Sequence, residues 1–417
     1  MKGRWSAVIK LLFVAGLMWL VFRTIPFEDH LLRRADPEAE VKVETVTIVG
    51  SWKLDPLHYR GDGDTVDREI HLGPQADGSV IAIEPALQTY WRDLDPWLFG
   101  LGAACYFLTV LIAGARWWWL LRVNGTDVSL WETLRFTWIG VFFNTVMPGS
   151  TGGDVVKALY IMKRCPGHRV QVMVSVIVDR VLGLGSLALL GAVVVLFALD
   201  RFGTIAIGIW GVIGGVGLLG IIAFSKRMRS LVRLTWLLQR LPPKLGHVLR
   251  LVDQAVFSYR SHRWVIIGSL LAGVGNHVVS VLGVYLLGEA IGVGLPSFEY
   301  FALIPIINIV SAVPLLPNGW GIGEWMYGGL FATFGASYLG GGPVAAAAMS
   351  TRGVALSLLY RLHLTCWSLL GGLFVLMEKD RVTKADLARE AAIEAQEDAS
   401  AAHEGDQEPV EPPPGRG

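Results

Sequence analysis

Asp154 and Lys157 stand three residues apart, directly after the run Pro148-Gly149-Ser150-Thr151-Gly152-Gly153. That spacing puts both charges on one face of a helix, and the proline and glycines stop any helix arriving through Asn144. A helix starting near Gly152 leaves its first N–H groups unpaired. Those groups, with a lysine one turn on, suit an oxyanion such as a phosphate. The competing reading is a capped helix with a surface ion pair. A nucleotide loop is excluded, because no Gly-Lys-Ser/Thr follows to set lysine on the terminal phosphates and a hydroxyl on magnesium.

Further candidates are thinly spread. Asp179-Arg180 stands at the entry of an apolar segment, where the guanidinium could fork a phosphate or simply anchor the segment beside its own neighbour. Glu324 follows Gly319, Gly321 and Gly323 and is expected to begin a helix, where a carboxylate complements the dipole. Arg352 and Arg361 are nine residues apart, hence about 180° apart on a straight helix, so at most one can face a given pocket. Arg361, beside Tyr360 and near His363, is the choice, and Arg352 is placed at the interface. Asn276, His277 and Asn308 are read as interhelical hydrogen-bonding residues. The substrate-binding set is therefore Asn144, Gly152, Gly153, Asp154, Lys157, Arg180, Glu324 and Arg361. Cys105, Cys165 and Cys366 share no metal or disulfide spacing, so neither metal nor cofactor is expected.

The elements that must position these residues are membrane helices. Of 417 residues 53% are hydrophobic and 17% charged, with mean hydropathy +0.49 and 16 Trp, too apolar for a soluble chain of this size. Trp5 to Thr24, after a basic start, is expected to be a retained anchor within residues 1–26. Residues 27–95 carry 15 Asp/Glu against 7 Lys/Arg and are assigned to an extracytoplasmic β-rich insert. There Val41, Val43, Thr45 and Thr47 alternate, and Gly61-Asp-Gly-Asp and Asp77-Gly78 mark turns. Its length is marginal for an independent core, so it is expected to lean on the membrane domain.

Residues 96–377 form that domain. Spans are expected at Trp97 to Leu121, with Arg116 and Trp117-Trp118-Trp119 at the interface, Val181 to Leu199, Phe202 to Phe224, Trp264 to Leu287 and Val344 to Met377. Trp131 to Met147 is short, and Lys157, Lys163, Arg164, Arg169 and Arg180 follow it. A hairpin turning at Pro148-Gly149 keeps both its flanks on the basic, cytoplasmic side. Phe298 to Leu316 and Met326 to Tyr338 flank a second break, Pro314 to Glu324, entered from outside. Between Lys226 and Arg263 nine Lys/Arg face one acid, which marks a cytoplasmic loop suited to anionic headgroups. The tail, residues 378–417, is polar and expected to be disordered. The fold class is thus an all-α polytopic membrane protein with six to eight transmembrane helices, two of its elements re-entrant or broken, plus the β-rich insert. Both termini are expected inside, and the two breaks approach the midplane from opposite faces, as in inverted-topology transporters.

Asn144 to Tyr160, Asp179-Arg180 before Val181-Leu-Gly-Leu, Pro317-Asn-Gly-Trp-Gly-Ile-Gly-Glu324 and Tyr360-Arg361 together resemble the transmembrane part of the lysylphosphatidylglycerol synthase/flippase family, over roughly Trp97 to Met377. The resemblance implies re-entrant segments and movement of a lipid or lipid-linked headgroup between leaflets. Some members carry an aminoacyl-transferase part; the residues after Met377 are too few and too polar for one, so that activity is not carried over. Two departures stand out: the 27–95 insert, and Asp179 where Glu is more usual.

The leading expectation is a flippase-like transporter of a bacterial inner membrane, with Lys157, Arg180 and Arg361 holding a phospholipid or polyprenyl-phosphate-linked headgroup and no nucleic acid involved. The alternatives are a glycosyl- or headgroup-transferase using a polyprenyl-phosphate donor, with Asp154 or Glu324 as base, and a non-catalytic envelope partner.

Overall fold

The computed structural model describes residues 26–35, 39–146, 152–197, 259, 261–311, 321–378, 382–383 and 385–386, with single positions 199, 203, 207, 210, 211, 214, 389, 392 and 393. The expected N-terminal anchor, most of the basic loop and of the Phe202 to Phe224 span, both break centres and most of the tail lie outside these residues.

The insert is an antiparallel sheet of six strands, β1 (Asp29–Arg34), β2 (Lys42–Ile48), β3 (Leu57–Gly61), β4 (Arg68–Ile70), β5 (Gly73–Pro74) and β6 (Val80–Glu84), in the order β4-β3-β2-β1-β6-β5. A short helix, α1 (Leu87–Arg92), follows. Asp29 ties the two together: its Oδ1 accepts from the Ala86 N–H at 2.7 Å and from Thr89 Oγ1 at 2.8 Å. The strand expected around Val43 forms, but its buried side chains are Val46 and Ile48, while Val43 is exposed. The helical domain covers the opposite sheet face only at its centre, where Leu32 and Ala82 meet Val344 and Ala348.

The helices are α2 (Pro96–Val123), α3 (Leu130–Val146), α4 (Gly152–Arg164), α5 (Arg169–Leu196), α6 (Arg263–Ile291), α7 (Ser297–Ser311), α8 (Ile322–Gly335) and α9 (Gly342–Met377). Four of them, α2, α5, α6 and α9, are long and apolar enough to cross a membrane. Local chemistry sets several starts. Asp95 caps α2, accepting from the Trp97 and Leu98 N–H groups at 2.8 and 3.1 Å. Ser129 and Glu132 form a reciprocal cap on α3,.

α3 and α4 form one antiparallel hairpin. Its outer ends meet where Arg164 Nε lies 2.6 Å from Glu132 Oε1, and its inner ends where Asn144 Oδ1 accepts the Gly153 N–H at 2.9 Å. A Cβ at Gly153 would overlap the Gly140 carbonyl, so this crossing requires glycine. α7 and α8 form the second hairpin, its outer ends joined by Tyr338 Oη donating to Glu299 Oε1 at 2.8 Å.

The two hairpins enter from opposite ends of the bundle. The first opens beside the C-terminus of α9, where Arg135 meets Glu378 at 3.0 Å. The second opens beside the insert. The packing follows an exchange: α4 lies on α5 and α8 on α9, while α3 crosses to α9 and α7 crosses to α5, with α2 against α6 between them. Residues 96–196 and 263–377 thus supply two like sets of four helices in opposite orientations.

The insert leans on one end of this bundle. Trp52 and Tyr90 share a continuous apolar cluster with Leu287, Val293, Tyr300 and Tyr327. Lys53 Nζ donates to the Ala290 carbonyl at 2.7 Å, and burial pulls its pKa below the ordinary lysine value. Arg352, placed at the interface by its position in the sequence, is buried within the protein. It donates to the Val293 carbonyl at 3.0 Å and lies over the Trp52 ring at 4.9 Å, so an arginine that hydropathy alone would send to water is taken up by the insert.

Candidate functional site

A glycine-led start on each return arm brings an acid back to the middle of the bundle, and each acid holds an arginine of the next long helix. On α4, Asp154 pairs with Lys157 Nζ at 3.1 Å and with Arg180 of α5. On α8, Glu324 pairs with Arg361 of α9 and accepts the Gly321 N–H at 2.5 Å. Gly321 has φ +85°, a conformation that favours glycine, and that turn is what lets the carboxylate reach back over its own helix start.

The pairing rules out one of the two readings of Arg180 and supplies a partner for Arg116. Arg180 is not neutralised by its neighbour Asp179, because successive residues on a helix point about 100° apart. Asp179 instead accepts from Arg116 Nε at 2.8 Å, both side chains buried. Arg116, expected at the interface beside its neighbouring tryptophans, is thus a buried residue of α2 held by a carboxylate of α5.

Between the hairpin tips lies a cavity of about 360 Å³. Asn144, Arg180, Gly323 and Arg361 line it, so the structure brings together residues of both breaks. Gly323 matters for its lack of a side chain, since a Cβ there would meet the Arg361 guanidinium. Asp154, Lys157, Glu324 and Gly153 stand behind the wall: the two acids hold the two cavity arginines, Gly153 is fixed to Asn144, and Lys157 lies 4.4 Å from the centre of the Trp117 ring. Gly152 supplies the start of α4.

Asn276, His277 and Asn308 also line the cavity, although sequence reasoning gave them only interhelical bonding. Tyr327, Ser311 and Ser357 line it too and carried no sequence signal, beyond Tyr327 being one turn from Glu324. A second cavity, of about 420 Å³, lies between α1 and α9 and is walled by apolar side chains such as Leu87, Leu94, Leu358 and Leu362. It contains no charged group and none of the candidate residues.

Four helices long and apolar enough to cross a membrane, packed with two helical hairpins around a polar cavity, define a polytopic membrane protein. The chain belongs to the family described as the lysylphosphatidylglycerol synthase TM region, whose family model matches residues 85–360. It is also 25% identical over 303 residues to a UPF0104 membrane protein of Pyrococcus horikoshii, covering 67% of this chain and 86% of that protein. No solved structure matches it. Among the described residues no cluster of His, Cys, Asp and Glu could hold a metal ion.

Proposed function

We propose that this protein moves a phosphate-bearing lipid, a phospholipid or a polyprenyl-phosphate-linked lipid, between leaflets by passing its headgroup through the central cavity. The observation that carries the reading is the convergence of Arg180 and Arg361, from helices of opposite direction, on one cavity between the hairpin tips. A guanidinium fork matches phosphate geometry. Two of them, reachable from the two hairpin sides, lower the cost of taking an anion through the apolar layer. Asp154 and Glu324 hold the arginines in position while the site is empty of substrate, and Lys157 steadies Asp154. The acyl or prenyl chains remain in the bilayer.

The transferase reading needs a carboxylate free to act as base, and both candidate acids are engaged by arginine. We place the protein in a bacterial inner membrane, with the insert outside and the basic loop and both termini in the cytoplasm, on the segregation of charge along the chain. Reconstitution into vesicles with labelled phospholipids tests the function. The rate of leaflet exchange should exceed that of protein-free vesicles and fall about tenfold or more in Arg180→Gln and Arg361→Gln. Unchanged exchange in both variants would remove the arginines from the mechanism, and a covalently altered lipid would establish the transferase instead.

A further inference from the structure

The cavity wall carries more than a phosphate site. Its charged side chains are Arg180 and Arg361, and no carboxylate lines it among the described residues. The sequence between the arms of each hairpin, 147–151 and 312–320, contains no Asp or Glu either. A cationic group on the ligand would therefore face two guanidiniums with no counter-charge on the wall, which disfavours it.

The neutral wall atoms ask for something else. Asn276 Oδ1, Ser311 Oγ and Tyr327 Oη are buried without a hydrogen-bond partner, a costly state unless the occupant supplies one. Asn276 Oδ1 can only accept. His277 Nε2 lies 3.1 Å from the Gly183 carbonyl; a carbonyl can only accept, so Nε2 carries the hydrogen, and in the neutral ring Nδ1 is a second acceptor. A phosphodiester offers acceptors to the arginines but no donors to these two atoms, and free hydrogen phosphate has too few hydroxyls to reach both while its oxygens face the arginines. An ammonium headgroup offers donors but brings the disfavoured charge. Hydroxyl groups beside a phosphate satisfy both requirements, since each donates to Asn276 or His277 and accepts from Ser311 or Tyr327.

We infer that the cavity selects a phosphorylated polyol, a phosphoglycerol, phosphoinositol or glycosyl-phosphate headgroup, over aminoacylated and amine-bearing headgroups. This rests on the proposed cavity route, and the source of the polyol phosphate, lipid or free solute, is separated by experiment.

The test uses the purified full-length protein. In one arm, thermal-shift titrations compare inositol 1-phosphate and glycerol 1-phosphate with phosphoethanolamine and inorganic phosphate. In the other, vesicles report exchange of labelled phosphatidylinositol and phosphatidylglycerol against phosphatidylethanolamine and lysylphosphatidylglycerol. The polyol phosphates should bind about tenfold more tightly than inorganic phosphate. Tyr327→Phe, which removes only an unpartnered hydroxyl, should leave folding intact and reduce that advantage by roughly three- to tenfold; Asn276→Leu should do the same.

Polyol-phosphate binding without exchange of any lipid would uphold the selectivity and overturn the lipid route. Exchange of all four lipids at equal rates, with soluble polyol phosphates no better than phosphate, would overturn the selectivity while leaving the transport function standing. Preference for the amine-bearing compounds in either arm would overturn it as well.

Discussion

The two hairpins share a plan and differ in how tightly it is closed. In the second, Glu324 is 0% exposed and accepts from Gly321, Ser357 and Arg361, whose side chain is itself buried. In the first, Asp154 is shared between Lys157 and Arg180, and the Arg180 side chain is 50% exposed. The same device, an acid at the start of the return arm holding the next helix's arginine, is thus nearly enclosed on one side, where the Arg361 side chain at the cavity wall is only 8% exposed, and far more open on the other. The lesson is one of division. A nearly enclosed pair fixes geometry at a high cost of disruption, whereas a half-exposed arginine can exchange its carboxylate for a ligand's phosphate with little loss.

The largest expected effect breaks the enclosed side. Glu324→Ala leaves the Arg361 guanidinium buried without its carboxylate and the Gly321 N–H without its acceptor, at a cost of about 3–5 kcal/mol. Thermal unfolding in detergent checks this, and an unfolding temperature close to the parent's would show the second hairpin to be as open as the first. Next in size is Gly153→Val. Its Cβ would run into the Gly140 carbonyl and Asn144, forcing the first hairpin apart at a cost of roughly 1–3 kcal/mol. Gly329→Ala, with open space around it, is the control and should be nearly neutral.

Much of this contrast was legible in the sequence and some was not, for identifiable reasons. The breaks announced themselves because Pro148-Gly149 and Gly321 to Gly323 cannot sit cheaply inside apolar helices, and the basic run after Asp154 argued for a hairpin there. Arg361 stood out as a charge deep in an apolar run, and its separation from Arg352 by half a turn was enough to divide their roles. Partners were another matter. Arg116 and Asp179 are 63 residues apart, and Arg352 meets a tryptophan of the insert; such pairs depend on which helix faces meet, which periodicity does not encode. For Asn276, His277 and Asn308 hydropathy marks depth without direction, so bonding between helices and lining a cavity looked alike. In β2 the alternation was visible, but both faces carry apolar residues, and the buried face is the one that packs with Trp52, Tyr59 and Tyr90 within the insert rather than the one that carries Val43.

Smaller effects sharpen the comparison at the open side. Asp154→Asn should cost roughly 1–2 kcal/mol, less than Glu324→Ala, because water can reach Arg180 and the Trp117 ring still faces the Lys157 ammonium. Arg180→Gln should cost below about 1 kcal/mol in stability and yet slow lipid exchange about tenfold, a split between folding and transport that Arg361→Gln cannot show because it also breaks the enclosed pair. Equal destabilisation by the two arginine substitutions would dissolve the distinction between the hairpins.

The smallest effect concerns the insert, which buttresses only the end of the bundle where the second hairpin enters. Glu84 of β6 accepts from Thr351 Oγ1 of α9 at 3.1 Å, and burial holds its carboxyl above the ordinary glutamate value of 4.5. Because the folded chain keeps this proton more tightly than the unfolded chain, the group's contribution is fullest below pH 4.5 and is lost as pH rises through the folded-state pKa. At pH 7 the carboxylate is a small cost of folding. Glu84→Gln keeps an acceptor for Thr351 and removes that cost, so it should raise the unfolding temperature slightly at pH 7, by less than about 1 kcal/mol of stability, with the gain shrinking as the pH is lowered through the folded-state pKa toward 4.5. Hydrogen exchange should place the added protection on the outer halves of α8 and α9 and leave α3 and α4 unchanged. Protection spread evenly over both hairpins would mean that the insert steadies the whole bundle and that the second hairpin's rigidity is its own.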